Sequence, residues 1–153
     1  MTTPAERLLT IGQAATAAGV TPRTLRYYEE LGLLRPSGHS VRGARRYAEV
    51  DLARIARIRE LQQLMGFNLE EINQILSAED SLERIRGEYR SGKPTSRRRR
   101  ELLAEAIEIN DRLREQVRQK VSLIGGFLEE LDAKAVRYRV IVDEIDQGAV
   151  TKA

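Results

Sequence analysis

The chain has 153 residues, of which 32% are charged and only 5% aromatic, and it carries a formal net charge of +3 with a pI near 9.4. That length fits one compact domain or a small domain with a long extension, and so few aromatics suit long exposed helices better than a large globular core. The lack of cysteine excludes disulfides and thiolate metal sites, and the single histidine, His39, cannot assemble a multi-histidine centre.

No basic stretch followed by an apolar core opens the chain, and no apolar run approaches the roughly 20 residues of a membrane helix, so a cytoplasmic protein without a leader or membrane partner is expected. The charge is unevenly placed. Residues 1–66 hold ten arginines against six acids, 67–80 four acids and no base, 81–100 eight bases against two acids, and 101–153 eight bases against eleven acids. Two basic zones flanking an acidic patch suit a polyanion partner, usually nucleic acid, although a solvated surface has the same composition.

The first 76 residues read as short, well-punctuated helices. Thr10 and Gln13 form a capping-box pair, and Ile11, Ala14, Ala15 and Ala18 follow at helical spacing up to Gly19. Thr21-Pro22 opens the next helix, with threonine as cap and proline at the first helical position, and Gly32 closes it. Two short helices joined by a tight turn make a helix-turn-helix. Residues 35–47 break the pattern with Pro36, Gly38 and Gly43, as a loop or short hairpin would. Helical spacing resumes near Glu49, with Leu52, Ile55, Ile58, Leu61 and Leu64 inward, Arg54, Arg57 and Arg59 outward, and a stop at Gly66. Asn68 and Glu71 form a second capping box before Ile72, Ile75 and Leu76.

A separate short helix is expected over 81–90, and Ser91-Gly-Lys-Pro94 is the linker candidate. Beyond Ser96, Val117, Val121, Ile124, Leu128, Leu131, Ala135, Tyr138, Val142 and Ile145 alternate by four and three, which is a heptad seam. The same phase reaches back to Leu103 and Ile107 through polar Asn110 and Arg114. Those two either fix register with a partner or mark a stretch that faces solvent or the N-terminal domain. Gly125-Gly126 is a weak point at about 1 kcal/mol per glycine relative to alanine, with a possible kink there. A helix continuous to residue 146 would be roughly 75 Å long and cannot bury its own seam, so a homodimer is expected through Val117, Val121, Ile124, Leu128 and Leu131.

With Leu25 at the centre of the buried face of helix 22–31, Tyr28 and Glu29 lie within about 60° of it, while Arg23, Arg26, Tyr27 and Glu30 face away. Arginines and a hydroxyl on the open side of a short helix match a recognition helix in a DNA major groove, where arginine grips guanine edges or phosphates bidentately. An ordinary surface helix is the bland alternative, and Tyr28 by itself reads as largely core. In the hairpin segment, Arg42, Arg45, Arg46 and Tyr47 place three cations and a phenol where a wing could straddle a phosphate backbone. The Arg97–Arg100 run opposes the dipole at a helix N-terminus and reads either as a contact to phosphate or a partner's acidic surface, or as a solvated run.

Residues 8–76 resemble the N-terminal domain of the MerR family of bacterial transcription regulators. The resemblance rests on L-T-I-G-Q at 9–13, T-x-R-T-L-R-Y-Y-E-E-L-G-L-L-x-P at 21–36, G-x-R-R-Y at 43–47 with Asp51, and M-G-F at 65–67 before N-L-E-E-I at 68–72. It implies a mainly α fold: a winged helix-turn-helix over 8–76, a short helix and linker over 77–95, and a long dimerisation helix over 96–146 forming an antiparallel coiled coil. It further implies promoter DNA as partner, bound at a near-palindromic site and distorted so that RNA polymerase can engage. By position, Arg23, Thr24, Arg26, Tyr27 and Tyr28, with Arg45, Arg46 and Tyr47 of the wing, would contact DNA. Ala44 departs from the family's pattern, in which many members carry tyrosine there.

Without cysteine, the thiolate-based metal and redox sensing found in parts of that family is excluded. Too few residues follow the seam for a separate drug-binding domain, so the small-molecule effector is unknown; Phe127, Tyr138 and Tyr89 either line a small pocket at the dimer interface or are simple core. No cofactor or catalytic residue is expected, because lone His39 completes no acid–base or nucleophilic set and no glycine-rich phosphate loop precedes a helix. The competing functions are a DNA-architectural or excision-type accessory protein with the same winged domain, and a coiled-coil interaction protein that contacts no DNA.

Overall fold

The structure is a computed structural model that describes residues 7–151, with side chains described to residue 148. The expected lack of a leader falls on residues 1–6, outside the described residues. The chain divides after Arg84 into two compact units. Among the described residues no helix is long and apolar enough to cross a membrane.

The first unit begins with β1 (Leu9–Thr10), α1 (Ile11–Ala18) and α2 (Pro22–Glu30). Thr10 accepts from the Gln13 amide at 3.2 Å while the Gln13 side chain accepts from the Thr10 N–H at 3.0 Å, closing the capping box read from sequence. Gly19 takes the left-handed conformation, φ 68°, and Thr21 accepts from the Thr24 N–H at 3.1 Å, so a turn of three residues separates α1 from α2. Gly32, φ 73°, lets α2 finish with the Gly32 N–H donating to Glu29 and the Leu33 N–H to Tyr28, the paired closure of a Schellman motif.

The hairpin follows: β2 (Gly38–His39) and β3 (Arg45–Tyr47) pair antiparallel, with Gly38 opposite Arg46 and His39 opposite Arg45. The other edge of β3 pairs with β1, Leu9 opposite Tyr47 and Thr10 opposite Arg46, giving the strand order β1-β3-β2. The chain reversal between β2 and β3 is held by the Ser40 N–H donating to Ala44 at 2.7 Å and by Gly43 at φ 81°.

Helix α3 (Glu49–Arg59) runs into a π-helical turn, Glu60–Leu64, closed by the Met65 N–H donating to Glu60. This wider turn corrects the expected phase: Leu64 is 81% exposed, while Leu61 and Phe67 are buried. The extra residue in the turn rotates Leu64 off the inner face. Asn68 and Glu71 then cap α4 (Leu69–Arg90) reciprocally, at 2.8 and 3.1 Å. One continuous α4 replaces the separate short helix expected over 81–90.

The core of this unit is Ala14 and Ala15 of α1, Leu25 and Tyr28 of α2, Leu33, Leu34, Tyr47, then Ile55, Ile58, Leu61, Phe67, Ile72, Ile75 and Leu76. Burial of each large apolar side chain stabilises by roughly 1.5–3 kcal/mol. The small residues of α1 let α2, α3 and β3 pack against it.

Three α3 arginines expected to point outward are instead ties. Arg54 donates to the Leu33 carbonyl and to both Asp80 oxygens, Arg57 to Glu79 and Glu60, and Arg59 to the Ala18 carbonyl at 2.7 Å, which caps the C-terminus of α1. Apart from Glu60, three residues from Arg57, these acceptors lie 21 to 41 residues away in sequence. The hydrogen bonds to Glu79 and Glu60 raise the Arg57 pKa further above its usual value.

In the second unit, α5 runs unbroken from Ser96 to Thr151, 56 residues, continuing through Gly125 and Gly126 and past residue 146. At 1.5 Å per residue that is about 84 Å. Ile85 and Leu102 are buried, whereas the seam residues Val117, Val121, Ile124, Leu128 and Leu131 are exposed in the single chain.

Asp51 is the one buried charged residue among those described, at 5% exposure. Its Oδ2 accepts from the Ala48 N–H at 2.8 Å and the Ser37 N–H at 3.1 Å, joining the start of α3 to the start of the hairpin. Asp51→Ala strands both amides and is expected to cost about 1–3 kcal/mol, read as a lower urea midpoint at unchanged slope.

Candidate nucleic-acid interface

The outward side of α2 follows from what its inner side buries. Leu25 and Tyr28 are 0% and 5% exposed, and a helix with those two inward turns Arg23, Arg26, Tyr27 and Glu30 to solvent. Thr21, Arg23, Thr24, Arg26, Tyr27 and Glu30 line one shallow concave surface. The Thr24 hydroxyl sits 2.9 Å from that of Thr21, so the cap fixes its rotamer as well as the helix start. Arg23 and Arg26 have no hydrogen-bonded or ion-paired partner among the described residues, which leaves both guanidiniums available to an incoming anion.

The hairpin is tied to this helix through one pair. Arg45 Nε of β3 donates to the Glu29 carboxylate of α2, with the two side chains 41% and 27% exposed. This hydrogen bond, then the charge of Glu29, raises the Arg45 pKa above its usual value. Arg45 is therefore partly spent within the protein, although its side chain stays 41% exposed. Arg46 donates to the Arg45 carbonyl at 3.0 Å and is half-buried. Arg42 is exposed in the loop beyond β2, with no partner among the described residues, and its neighbour Val41 is fully exposed.

Two residues counted by position among the DNA contacts are corrected. Tyr28 and Tyr47 are core side chains, the Tyr47 ring 0% exposed. Tyr47 ends β3 opposite Leu9, so the strand's alternation sends its ring inward while Arg46 points to the other face. Burial is the main cause of the raised pKa of both phenols, with Glu29 adding to the rise at Tyr47 and Arg59 opposing it at Tyr28. The Tyr47 hydroxyl is buried without a hydrogen-bond partner.

Glu29, Asp51 and Arg59 position the surface, and sequence reading did not single them out as such. Glu29 was legible as lying near the buried side of α2, but its partner is 16 residues away on another element. The Arg97–Arg100 run is partly neutralised within its own unit: Arg97 pairs with Glu101, Arg98 with Glu88 and Glu101, and the Arg99 guanidinium lies 5.6 Å from the centre of the Tyr89 ring. Phe127 and Tyr138 are exposed along α5. No cluster of three or more potential metal ligands occurs among the described residues.

The chain is similar to several known proteins. A family model described as MerR HTH family regulatory protein matches residues 9–79. An HTH-type transcriptional regulator of Pseudomonas aeruginosa, PA4778, is 46% identical over 69 residues, covering 45% of this chain and 52% of the relative. The HTH-type transcriptional regulator YyaN of Bacillus subtilis is 28% identical over 141 residues, 91% of this chain and 97% of that protein. The matched stretch thus spans about half of the first relative and nearly all of the second. A solved structure of a MerR family transcriptional regulator from Listeria monocytogenes superposes with a TM-score of 0.57 at 23% identity, covering 95% of this chain and 99% of the other, a likeness of fold.

Because its hydroxyl has no partner, Tyr47 is expected to tolerate Tyr47→Phe: chemical denaturation should show stability unchanged or higher, and DNA titration an unchanged affinity. A tenfold loss of affinity in a folded Tyr47→Phe protein would return that hydroxyl to the binding surface.

Proposed function

We propose that this chain, whose residues 9–79 match the MerR HTH family model, is a sequence-specific transcription regulator of the MerR type that binds promoter DNA as a homodimer. The observation that carries the reading is the outward face of α2, where Arg23 and Arg26 stand unpaired beside Tyr27 while β3 is tied alongside through Glu29 and Arg45.

In this reading residues 8–76 bind DNA, 77–95 connect, and 96–146 pair two copies. Helix α2 enters the major groove, with Arg23 and Arg26 gripping base edges or phosphates and Thr24 and Tyr27 offering hydroxyls to the backbone. The wing's Arg42, Arg45 and Arg46 take phosphates to one side. Two copies joined through α5 present two such surfaces, which suits a near-palindromic site, because a symmetric protein reads a symmetric sequence. Distortion of the DNA between half-sites would then be the step that lets RNA polymerase engage. A regulator working on promoters operates in the cytoplasm.

Footprinting on the DNA upstream of the chain's own gene tests the contacts. The parent is expected to protect one near-palindromic stretch; Arg26→Ala and Arg46→Ala should each weaken protection. A phosphate contact shows as a salt dependence shallower by about one, and a base contact as a loss of about 1–3 kcal/mol confined to one base position. Equal protection by both variants across a salt series would remove these residues from the interface.

Pairing through α5 has its own expectation. Leu128→Asp puts a charge into the seam and should convert a dimer into a monomer by analytical ultracentrifugation at micromolar concentration, with the circular dichroism of the N-terminal domain retained. A dimer of unchanged strength would place the contact elsewhere.

A further inference from the structure

The turn that joins α4 to α5 carries a dense run of positive charge, and the helix ends beside it sort that charge onto two unlike sides. Residues 85–100 hold seven bases and one acid, Glu88. Two contacts across the turn fix which residues share a side: the Arg99 guanidinium lies 5.6 Å from the centre of the Tyr89 ring, and Arg98 Nε donates to Glu88 at 2.6 Å. Ile85 of α4 and Leu102 of α5 are the buried side chains here. At about 100° per residue, Tyr89 and Glu88 lie to opposite sides of Ile85, and Arg99 and Arg98 to opposite sides of Leu102. The Glu88 side is matched charge for charge, since Arg97 and Arg98 both pair with Glu101 there and Arg98 also with Glu88. The Tyr89 side is not. Helical rotation sends Arg86, Arg90 and Arg100 to it, while the next acids of α5, Glu101, Glu105 and Glu108, turn to the other.

We propose that this cationic side of the hairpin, with Arg90, Lys93, Arg99 and Arg100 around the exposed Tyr89, takes phosphates of duplex DNA beyond those gripped by α2 and the wing. This deepens the proposed function and rests on its reading of DNA as the partner. The contact is independent of base sequence, so it adds affinity without adding specificity.

Arg90, Lys93 and Arg100 are exposed and have no hydrogen-bonded or ion-paired partner among the described residues. Arg99 rests on an aromatic face instead of a carboxylate, which holds the guanidinium plane in place without spending its charge. Lys93 sits in the turn at φ 48°, the one non-glycine with a left-handed backbone among the described residues, so a cation occupies a position that glycine or asparagine would fill with less strain. The start of α5 does not supply the site through its amides: the Arg98 N–H is taken by the Thr95 hydroxyl and the Arg99 N–H by the Thr95 carbonyl. The side chains make it. Gathering these cations on one side costs stability through mutual repulsion, and nothing within the chain offsets that on the Tyr89 side, whereas a phosphate does.

An acidic protein surface fits this side less well than DNA does. A protein interface keeps an apolar core with its charges at the rim, and between residues 85 and 103 the exposed large apolar side chains are only Tyr89 and Leu103. A phosphodiester strand needs no such core; cations set at intervals suffice. The cations are also arginine in three of the four named positions, and the planar guanidinium fork matches two phosphate oxygens at once.

The test is a salt series of DNA titrations with the full chain, on the duplex upstream of its own gene and on an unrelated duplex. Arg90→Gln combined with Arg100→Gln should make the dependence of log affinity on log salt shallower by about two for each copy bound. The loss should be equal on the two duplexes, leaving their affinity ratio unchanged. Arg97→Gln, on the matched side, should leave the slope as it is, and Arg90→Lys combined with Arg100→Lys should keep it, because a point charge still meets a phosphate. An unchanged slope in the glutamine pair overturns the hairpin contact. So does an equal effect per charge in Arg97→Gln, which would mark a response to net charge, or a loss that persists in the lysine pair, which would mark altered packing. A loss confined to the chain's own upstream duplex overturns the sequence-independent contact. If the parent binds neither duplex, the proposed function falls and the hairpin contact with it; if the parent binds and the glutamine pair matches it, the hairpin contact alone is wrong.

Discussion

The rotation of α2 about its own axis governs the rest of the N-terminal unit. Leu25 and Tyr28, one turn apart, are drawn into the core against α1, and no other rotation buries both. The Thr21 cap and Pro22 fix where the helix begins, and Gly32 fixes where it ends. With start, stop and rotation set, Arg23, Arg26 and Tyr27 have only the outward side left to them. The cationic surface is thus a consequence of apolar burial on the opposite side.

Arginine has two fates in this unit, and the difference is whether an acceptor lies within reach. Arg54, Arg57 and Arg59 find carboxylates or helix-end carbonyls and act as cross-braces between elements. Arg23, Arg26 and Arg42 find none among the described residues. Arg45 stands between the two groups, held by Glu29 from one side and open on the other. A cation with a carboxylate partner offers less to an incoming phosphate than one without, so the unpaired arginines, rather than the count of basic residues, delimit the proposed binding surface. The second unit has a related economy. Its basic run is partly matched by Glu88 and Glu101.

Much of the fold was legible because its signals are local. Capping boxes at Thr10 and Asn68, the threonine-proline helix start and the left-handed glycines each act within four residues, and each closes as read. The outward face of α2 was legible for a similar reason, since helical geometry and one buried leucine suffice to orient nine residues. The phase of Leu64 was not legible, because a π-helical turn at Glu60–Leu64 interrupts the spacing on which the reading relied.

Sequence alone determined the helix-turn-helix, the helical C-terminal rod with its apolar seam, and the residue types available to touch an anion, because periodicity and capping are short-range effects. Tertiary structure alone decided which cations remain available. Tyr47 and Tyr28 went to the core, Arg45 to Glu29 and Arg59 to the end of α1, through contacts between residues 16 to 41 positions apart for the two arginines. Such pairings depend on how separate elements close on one another, and no local pattern in the chain encodes them.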